Sequence, residues 1–304
     1  MISRRFSKSH DFLAWSLLII LSVIWGSSYI LIKKGLLVYT PLQVGTMRIT
    51  FGFLVLLPAA VLKIFRLPGR KLFVLLIIGI IGNILPYILF AYSQTVLPSS
   101  VTGILNALTP IFTMLIAVFI FKYKIKNMQI IGMLLGFLGV MSLAFVDESG
   151  VFGSFNIYVM LVVLATLCYS ISLNLIKVYL SDINSVIVTG VSLLTVGPVC
   201  LIYLLSTDLI HVFNTVPGSG LAMFYIAILG IVGTAFAMIL YTKLIQITDA
   251  LFATTVTYLL PIVSIIWGIL DGEVLYHIHF VIMLIILIGV YLVNKNFKKK
   301  EKLI

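Results

Sequence analysis

The first candidate binding residues lie near the end of an apolar run, in the stretch WGSSYILIKKG at 25–35. Trp25, Ser28 and Tyr29 are spaced i, i+3 and i+4, so in a helix their side chains share one face. Polar groups inside a hydrophobic segment are costly and normally face a bundle interior or a water-filled cavity. An aromatic wall with a few hydroxyl groups suits a mainly apolar or zwitterionic organic solute. The alternative for Trp25 is anchoring at a membrane interface.

A fainter copy of this stretch, YSISLNLIKV, occupies residues 169–178. Tyr169 and Ser172 repeat part of the aromatic and hydroxyl face of the first copy. The word LIK at 31–33 returns at 175–177, an offset of 144. Two copies of one polar face predict two walls of one cavity, so Tyr169 joins the candidate substrate-binding residues.

Three prolines inside apolar segments predict helix breaks. Because proline has no N–H, Pro86, Pro110 and Pro261 each leave the carbonyl four residues earlier without its helical donor. Exposed carbonyls at broken helices form sites in secondary transporters, whereas a tolerated kink with ordinary packing is the alternative. Polar side chains beside these breaks, or at matching positions of the two halves, complete the candidate substrate-binding set: Asn83, Tyr87, Asn106, Thr234 and Tyr258.

Arg48 is the one formal charge deep inside an apolar segment. It lies about two turns from the end of that segment, so the favoured interpretation is that its guanidinium extends to the membrane surface. The alternative is that Arg48 contacts an anionic group of the substrate, a carboxylate or a phosphate. The matching position in the second half is Ser192, so the charge is not repeated.

Catalysis and metal binding find little support in the sequence. An intramembrane aspartyl protease needs two carboxylates within its spans, and the apolar segments contain none. A metalloprotease of the zincin type needs HExxH, which is absent. Cys168 and Cys200 lie inside apolar segments without the spacing of a metal site. We therefore expect no enzyme activity, no metal and no cofactor.

The composition indicates a polytopic membrane protein. Of the 304 residues, 62% are hydrophobic and 10% are charged, whereas soluble domains carry about 25% charged residues. The net charge of +11 does not predict a nucleic-acid partner. The basic residues lie in short loops and at both ends, where they set membrane orientation and contact anionic lipids.

Ten apolar segments are long enough to cross a bilayer as helices, each of which needs about 20 residues. They occupy 13–32, 42–62, 72–93, 101–121, 127–146, 155–176, 186–206, 219–241, 251–270 and 277–294. With the N-terminus inside, seventeen of the twenty Lys and Arg residues fall on the inner side, and only Lys33 and Lys34 fall outside. The positive-inside rule therefore predicts a multi-pass protein with both termini in the cytoplasm.

An internal repeat relates the two halves of the chain. LIIGIIGN at 76–83 matches AILGIVGT at 227–234 with an offset of 151, which also places Pro110 opposite Pro261. Because each half has five helices, an odd number, the second half must cross the membrane in the opposite direction. The predicted fold is therefore an all-α membrane protein, in which ten transmembrane helices form two inverted five-helix repeats.

The predicted boundaries follow from this repeat. A cytoplasmic tail at 1–12 precedes the first repeat, helices 1–5 at 13–146. The second, inverted repeat, helices 6–10 at 155–294, precedes a basic cytoplasmic tail at 295–304. Gly132 and Gly136 in the fifth segment and Gly289 in the tenth are expected to allow close helix packing.

The sequence resembles the drug/metabolite transporter superfamily and, within it, the EamA-type family of ten-helix transporters. The resemblance covers nearly the whole chain. It rests on WGSSYILIK in the first segment, MRITFG around Arg48, SSVTGILNALTPIF in the fourth segment, and ALFATTVTYLLPIVSIIWG followed by Glu273 in the ninth. One departure is FKYK, with Lys122 and Lys124, where the family often has a glutamate.

The resemblance implies a secondary transporter in the cytoplasmic (inner) membrane. It would move small organic metabolites, such as amino acids or their derivatives, as an exporter by alternating access. The expected partners are a small-molecule substrate and membrane lipids, and a monomer is expected to suffice. A non-coupled channel or a lipid-translocating protein is the alternative, although an inverted repeat favours alternating access.

Overall fold

The structure is a computed structural model that describes residues 8–65, 67–121, 126–146, 150–248 and 250–295. Within these ranges the chain is helical, and the extended structure consists of one isolated bridge between Val146 and Phe152. Lys122 and Lys124 lie outside the described residues, as do most of the predicted tails at 1–12 and 295–304.

Ten long helices, several of them in consecutive pieces, account for most of the described chain. They are α1 (Lys8–Leu36), α2 (Pro41–Ile64), α3 (Gly69–Gly79, Ile80–Ile84 and Leu85–Ser93), α4 (Ser99–Asn106 and Thr109–Phe121), α5 (Asn127–Ala144), α6 (Tyr158–Tyr179), α7 (Ser185–Ser206), α8 (Ser219–Gly230, Ile231–Phe236 and Ala237–Ile247), α9 (Ala250–Thr254, Thr255–Tyr258 and Leu260–Leu270) and α10 (His277–Lys295). A short helix, Leu209–Thr215, lies between α7 and α8.

Nine of these helices, α1 to α9, are long and apolar enough to cross a membrane, judged over the described residues by length and composition. The polytopic character predicted from the sequence is therefore confirmed. The apolar part of α10, His277–Val293, is shorter and lies at the lower end of the range of transmembrane helices, about 17 to 25 residues. The tenth crossing stays a prediction.

The first helix is longer than the sequence predicted. It continues to Leu36, so Lys33 and Lys34 lie in its last turn rather than in a loop after residue 32. The last turn of a helix favours basic side chains, because its terminal carbonyl groups carry partial negative charge.

One end of the bundle, called here the Glu273 face, gathers the links α1–α2, α3–α4, α7–α8 and α9–α10. Lys33 of α1 pairs with Glu273 after α9, and Glu273 accepts hydrogen bonds from Ser99 at the start of α4. Near the start of α2, the Tyr39 hydroxyl donates to the Ser219 carbonyl at the start of α8, 3.1 Å away. These contacts bring four links to one face.

The opposite end, called here the Asp182 face, gathers the links α2–α3, α6–α7 and α8–α9. Lys71 at the start of α3 pairs with Asp182 between α6 and α7. Gln246 at the end of α8 donates to the Ile183 carbonyl, 2.6 Å away. The helices joined by these links therefore run in opposite directions between the two faces.

Helices from the two halves of the chain pack against each other throughout the bundle. α2 packs along α7, and α5 packs along α10. α1 packs on α8 and α9, while α6 packs on α3 and α4. Where α5 meets α10, a Cβ on Gly132 or Gly289 would overlap the carbonyl oxygen of the other residue. The predicted close packing at Gly132, Gly136 and Gly289 is confirmed.

α3 and α8 share an irregular turn. Each contains a π-helical segment, Ile80–Ile84 in α3 and Ile231–Phe236 in α8. In both segments a side chain donates to the carbonyl five residues earlier, Asn83 over 3.4 Å and Thr234 over 3.2 Å. The predicted break at Pro86 is therefore a π-helical turn just before the proline, and the helix continues through it.

α4 and α9 are interrupted near their prolines. α4 breaks between Asn106 and Thr109, and α9 passes through the 3₁₀ turn Thr255–Tyr258 before Pro261. The Thr109 hydroxyl donates to the Asn106 carbonyl, 2.9 Å away. This bond replaces the N–H that Pro110 lacks, so the Asn106 carbonyl predicted to be free has a local partner.

Candidate functional site

A cavity of about 70 Å³ lies inside the bundle, with side chains from both halves of the chain around it. Seven of the predicted site residues line it: Trp25, Ser28, Tyr29, Arg48, Tyr87, Asn106 and Tyr169. Ligand pockets commonly measure roughly 300–1,000 Å³. This conformation therefore has room for a few water molecules, and an organic solute could enter only if the surrounding helices moved apart.

The other three predicted residues do not line the cavity. Asn83 accepts a hydrogen bond from the Tyr87 hydroxyl over 3.2 Å, and Thr234 accepts one from Arg48 Nε over 2.7 Å. Both therefore hold side chains that do line it. The Tyr258 hydroxyl donates to the Val290 carbonyl of α10 over 2.9 Å, so Tyr258 is not brought together with the rest.

Trp25 contributes to the cavity wall from α1. Its indole N–H donates to the Gly233 carbonyl, 2.9 Å away in the π-helical turn of α8. The edge of its ring meets Tyr241, with ring centroids 4.7 Å apart. Both contacts lie within the bundle, so Trp25 has an interior position rather than one at the membrane interface.

A second aromatic group joins α1, α3 and α6. Phe90 stacks on Tyr169 with ring centroids 5.7 Å apart, and Tyr29 lies 5.8 Å from Phe90. Tyr87 meets Tyr169 edge-on at 6.4 Å. Aromatic pairs at such distances add about 0.5–1.5 kcal/mol each beyond the burial of their surface. They hold the walls from the two halves together.

Arg48 is buried in the bundle, with 5% of its surface exposed. Its guanidinium carbon lies 3.8 Å from the centroid of the Tyr87 ring. Nε donates to the Thr234 hydroxyl over 2.7 Å, and one terminal nitrogen lies 3.4 Å from the Gly233 carbonyl. The prediction that Arg48 extends to the membrane surface is wrong, because partners on α3 and α8 hold it inside.

Most residues that line the cavity occur in pairs at the two repeat offsets. At an offset of 144 the pairs are Trp25/Tyr169, Ser28/Ser172, Tyr29/Leu173 and Ile32/Ile176. At 151 they are Tyr87/Met238, Phe90/Tyr241 and Asn106/Thr257. Phe90, Met238, Tyr241 and Thr257 are among the lining residues that the sequence prediction missed. Applying the offset of 151 to Tyr87 and Asn106 would have found Met238 and Thr257.

A cluster of charges lies at the Glu273 face. The Glu273 cluster comprises Lys33, Lys34, Asp271 and Glu273 with the helix-start residues Ser99 and Ser100. Lys33 Nζ lies 2.8 Å from an Asp271 oxygen and 2.9 Å from a Glu273 oxygen, and Lys34 pairs with Asp271. Glu273 also accepts from the backbone N–H and hydroxyl groups of Ser99 and Ser100, over 2.6 to 3.1 Å.

The start of α4 is a favourable place for this carboxylate, because the first N–H groups of a helix lack partners within it. Burial opposes ionisation of Glu273, but hydrogen bonds from Ser100, Lys33 and Ser99 outweigh it and lower the pKa of Glu273. Burial likewise opposes ionisation of Asp271, and hydrogen bonds from Lys33 and Lys34 lower its pKa. Both groups are carboxylates at neutral pH.

The opposite face has a weaker counterpart. Lys177 lies at an offset of 144 from Lys33. Its ammonium group donates to the Ile245 carbonyl over 3.2 Å and to the Thr248 carbonyl over 2.8 Å. Carbonyl groups are neutral acceptors, so within the described part of the chain this contact differs from the paired charges of the Glu273 cluster.

A second cavity, of about 490 Å³, lies at the Glu273 face. Leu97, Pro98, Asn156 and Val274 are among the residues that line it, and none of the predicted site residues does. Its lining comes mainly from the links between helices. The smaller central cavity is the better candidate site, because it combines a buried charge with aromatic groups from both halves.

A bundle of apolar helices around a cavity with a buried arginine defines a polytopic membrane protein with a polar interior. The chain belongs to the EamA-like transporter family, whose model matches residues 13–145 and 156–295. The family resemblance of the sequence is therefore confirmed, and the chain is a membrane transporter.

Relatives and a solved structure extend this finding. The chain is 28% identical to the uncharacterized inner membrane transporter YedA of Escherichia coli (strain K12) over 284 residues, 90% of this chain and 88% of YedA. It is 28% identical to the uncharacterized transporter YdfC of Bacillus subtilis (strain 168) over 123 residues, 40% of each protein. A solved crystal structure without a functional name superposes with a TM-score of 0.64 at 16% identity, covering 95% of this chain and 98% of the other. The last likeness shows a shared fold.

Proposed function

We propose that this protein is a secondary transporter that moves small organic metabolites through its central cavity by alternating access. The observation that carries the proposal is the pairing of cavity residues at two constant offsets, such as Trp25 with Tyr169 and Phe90 with Tyr241. A site formed in this way lies between two related halves. Secondary transporters built from inverted repeats bind their substrates at such an interface.

Three further observations support two inverted five-helix repeats. The family model matches two separate segments, 13–145 and 156–295. The π-helical turns of α3 and α8 lie at the matching words of the repeat. α2 packs on its counterpart α7, and α5 packs on its counterpart α10, as expected if a two-fold axis passes between them.

Contacts at both faces support alternating access. The Glu273 cluster joins α1, α4 and the α9–α10 link, and the contact of Lys177 joins α6 to the end of α8. Lys33 and Lys177 hold equivalent positions in the two halves. The contact of Lys33 would break when the Glu273 face opens, and the contact of Lys177 would break when the Asp182 face opens. The small volume of the central cavity favours such alternation over a continuous pore.

The expected orientation and direction rest on the sequence and on the relatives. The basic residues favour both termini in the cytoplasm, which places the Glu273 face outside. The relative in Escherichia coli is named as an inner membrane transporter, in agreement with a place in the cytoplasmic membrane. Export is the proposed direction, as in the transporters that the sequence resembles.

Counterflow in proteoliposomes tests the proposal. Vesicles that contain the purified protein are preloaded with one unlabelled metabolite from a panel of amino acids, their derivatives and other organic solutes. Transient uptake of the same labelled metabolite indicates exchange through the protein. Trp25→Ala and Asn106→Ala should abolish the uptake, whereas Trp15→Ala should not, because Trp15 is exposed and lies outside the cavity lining.

Two results would count against the proposal. Equal uptake by the Trp25→Ala and Asn106→Ala variants would move the transport path away from the central cavity. Flux that does not saturate with solute concentration would favour the channel alternative. An imposed pH gradient tests energy coupling. Because the apolar spans of the described helices, Phe12–Leu36 in the case of α1, contain no carboxylate, we expect exchange without uphill accumulation.

A further inference from the structure

Among the residues that the structure describes, the buried cation Arg48 has no anionic partner. The ion pairs in the described residues join Lys33, Lys34 or Lys71 to carboxylates at the two faces, and none includes Arg48. Arginine has five N–H donors, and the two hydrogen bonds of Arg48 go to a neutral hydroxyl and a neutral carbonyl. Buried charges are normally paired, because an uncompensated one is costly in an apolar surrounding.

The Tyr87 ring offsets part of this cost by a cation–π contact, with the guanidinium carbon 3.8 Å from its centroid. Such a contact uses the face of the guanidinium, so the in-plane N–H groups that do not bind Thr234 or Gly233 remain for a ligand. Arg48 lines the central cavity, so a solute bound there would lie against its side chain. A carboxylate matches the planar arrangement of the N–H groups with two parallel hydrogen bonds.

The lining residues of the cavity differ between its two ends. Tyr29, Arg48, Tyr87 and Asn106 lie about two turns from the Glu273-face ends of their helices. At the matching positions, nearer the Asp182 face, Leu173 replaces Tyr29 and Met238 replaces Tyr87. Tyr29, Tyr87 and Asn106 therefore lie at the same level as Arg48. Toward the Asp182 face the lining keeps the hydroxyl groups of Tyr241 and Thr257, but Leu173 and Met238 give it apolar surface.

The charges of the residues that line the cavity do not suit a cationic solute. None of the described residues that line the cavity is an aspartate or a glutamate. A primary amine or a quaternary ammonium would meet the fixed positive charge of Arg48 without a compensating carboxylate. An organic anion would instead neutralise that charge in a surrounding of low dielectric constant.

We propose that the solute is an organic carboxylate with an apolar body, bound with its carboxylate on Arg48 and its body toward Leu173 and Met238. This assignment rests on the proposed function, since it names the solute class of the same cavity. Tyr29 and Asn106 line the same cavity as Arg48 and supply further hydrogen-bonding groups for the carboxylate end.

Matched probes test the assignment in full-length protein reconstituted in nanodiscs. The probes are 3-phenylpropionate, indole-3-acetate and 4-methylpentanoate, each compared with its neutral primary amide and with the amine of the same carbon skeleton. Binding is measured by quenching of tryptophan fluorescence and by the shift of the thermal unfolding midpoint. The variants are Arg48→Gln and Arg48→Lys, with Lys71→Gln as a control that removes a charge at the Asp182 face.

We expect at least one carboxylate to bind about tenfold to a hundredfold more tightly than its amide and its amine, as a charge-assisted pair provides. Arg48→Gln should reduce its affinity to that of the amide, while Lys71→Gln leaves it unchanged. Arg48→Lys keeps the charge but not the two parallel donors, so it should bind the carboxylate with intermediate affinity. If Arg48→Gln does not fold, the carboxylate affinity of Arg48→Lys, compared with that of wild type, decides the test.

The assignment is overturned if no carboxylate binds wild-type protein more tightly than its amide, or if both Arg48 variants bind like wild type. Counterflow separates these outcomes from a failure of the transport proposal. Tight carboxylate binding without flux would contradict transport and leave the role of Arg48 standing. Flux of neutral solutes that Arg48→Gln does not alter would contradict the assignment and leave transport standing.

Discussion

Lys33 Nζ lies 2.9 Å from a carboxylate oxygen of Glu273 and so joins the last turn of α1 to the link after α9. The same carboxylate accepts hydrogen bonds from the first residues of α4, Ser99 and Ser100. A single side chain thus ties together three elements that come from both halves of the chain. If the Glu273 face opens during transport, this carboxylate must lose part of these contacts.

Glu273→Gln is expected to open the Glu273 face more often. The amide keeps the shape of the side chain but loses the ion pair with Lys33 and accepts more weakly from α4. The measurement is the rate at which a membrane-impermeant thiol reagent, added at this face, modifies Ser28→Cys in a Cys168→Ser, Cys200→Ser background. We expect the rate to rise about tenfold, which corresponds to a shift of roughly 1.4 kcal/mol in the opening equilibrium.

Asp182→Asn is the matched control for this measurement. It removes the ion pair with Lys71 at the opposite face, where the Asp182 side chain is 66% exposed. Exposed pairs contribute little to stability, so the modification rate of Ser28→Cys should stay at the wild-type value. Equal rates in the Glu273→Gln and wild-type proteins would show that the Glu273 cluster does not hold this face closed.

The lowered pKa values of Asp271 and Glu273 predict a contact that is insensitive to pH in the physiological range. A carboxylate whose pKa is depressed by its partners stabilises the closed face above its ordinary pKa, about 4. That contribution is lost as the pH falls through the depressed value. Spin labels at the exposed positions Leu37 and Val274 measure the opening by pulsed electron paramagnetic resonance.

The distance between these labels should stay constant from about pH 8 to pH 5.5 and lengthen only below about pH 4. The same labels in the Glu273→Gln variant mark the distance of the open face. A lengthening between pH 8 and pH 6 would contradict the prediction, because it would require a group that titrates near neutrality.

Lys177→Ala is expected to act at the Asp182 face as Glu273→Gln acts at the other. The substitution removes the hydrogen bonds to the carbonyl groups of Ile245 and Thr248. Ser172→Cys, the counterpart of Ser28→Cys, reports access from this face by the same thiol chemistry. We expect a rise of about threefold, since two bonds to neutral acceptors stabilise less than a set of ion pairs. The Ser28→Cys rate from the Glu273 face should not rise in this variant.

The features that depend on local spacing were predicted correctly from the sequence. The apolar segments gave the helices α1 to α9, and the spacing of Trp25, Ser28 and Tyr29 placed all three on the cavity. The repeat offsets predict further lining residues, because adding 151 to the predicted Tyr87 and Asn106 gives Met238 and Thr257. Periodicity and repeats are properties of the chain itself, so no knowledge of packing was needed.

The features that depend on packing were not predictable in this way. The depth of Arg48 in its segment suggested a route to the membrane surface. Its direction is instead fixed by Tyr87 and Thr234, which are 39 and 186 residues away in the chain. The partner of Lys33 is likewise 240 residues away. Sequence patterns locate a charge along a helix, but the contacts that determine where it points come from other helices.

Gly132→Val is expected to destabilise the protein by separating α5 from α10. A Cβ at Gly132 would overlap the carbonyl oxygen of Gly289, which belongs to the backbone and cannot move aside as a flexible side chain could. Overpacking of this kind costs about 1–3 kcal/mol, and the midpoint of thermal unfolding in detergent should fall accordingly.

Gly220→Ala is the matched control, since the atom nearest to an added Cβ there is 4.0 Å away. Its unfolding midpoint should stay within a degree or so of wild type, because surface changes outside packed regions alter stability by about 0.5 kcal/mol or less. Equal midpoints for the two variants would mean that contact between α5 and α10 contributes little to the stability of the bundle.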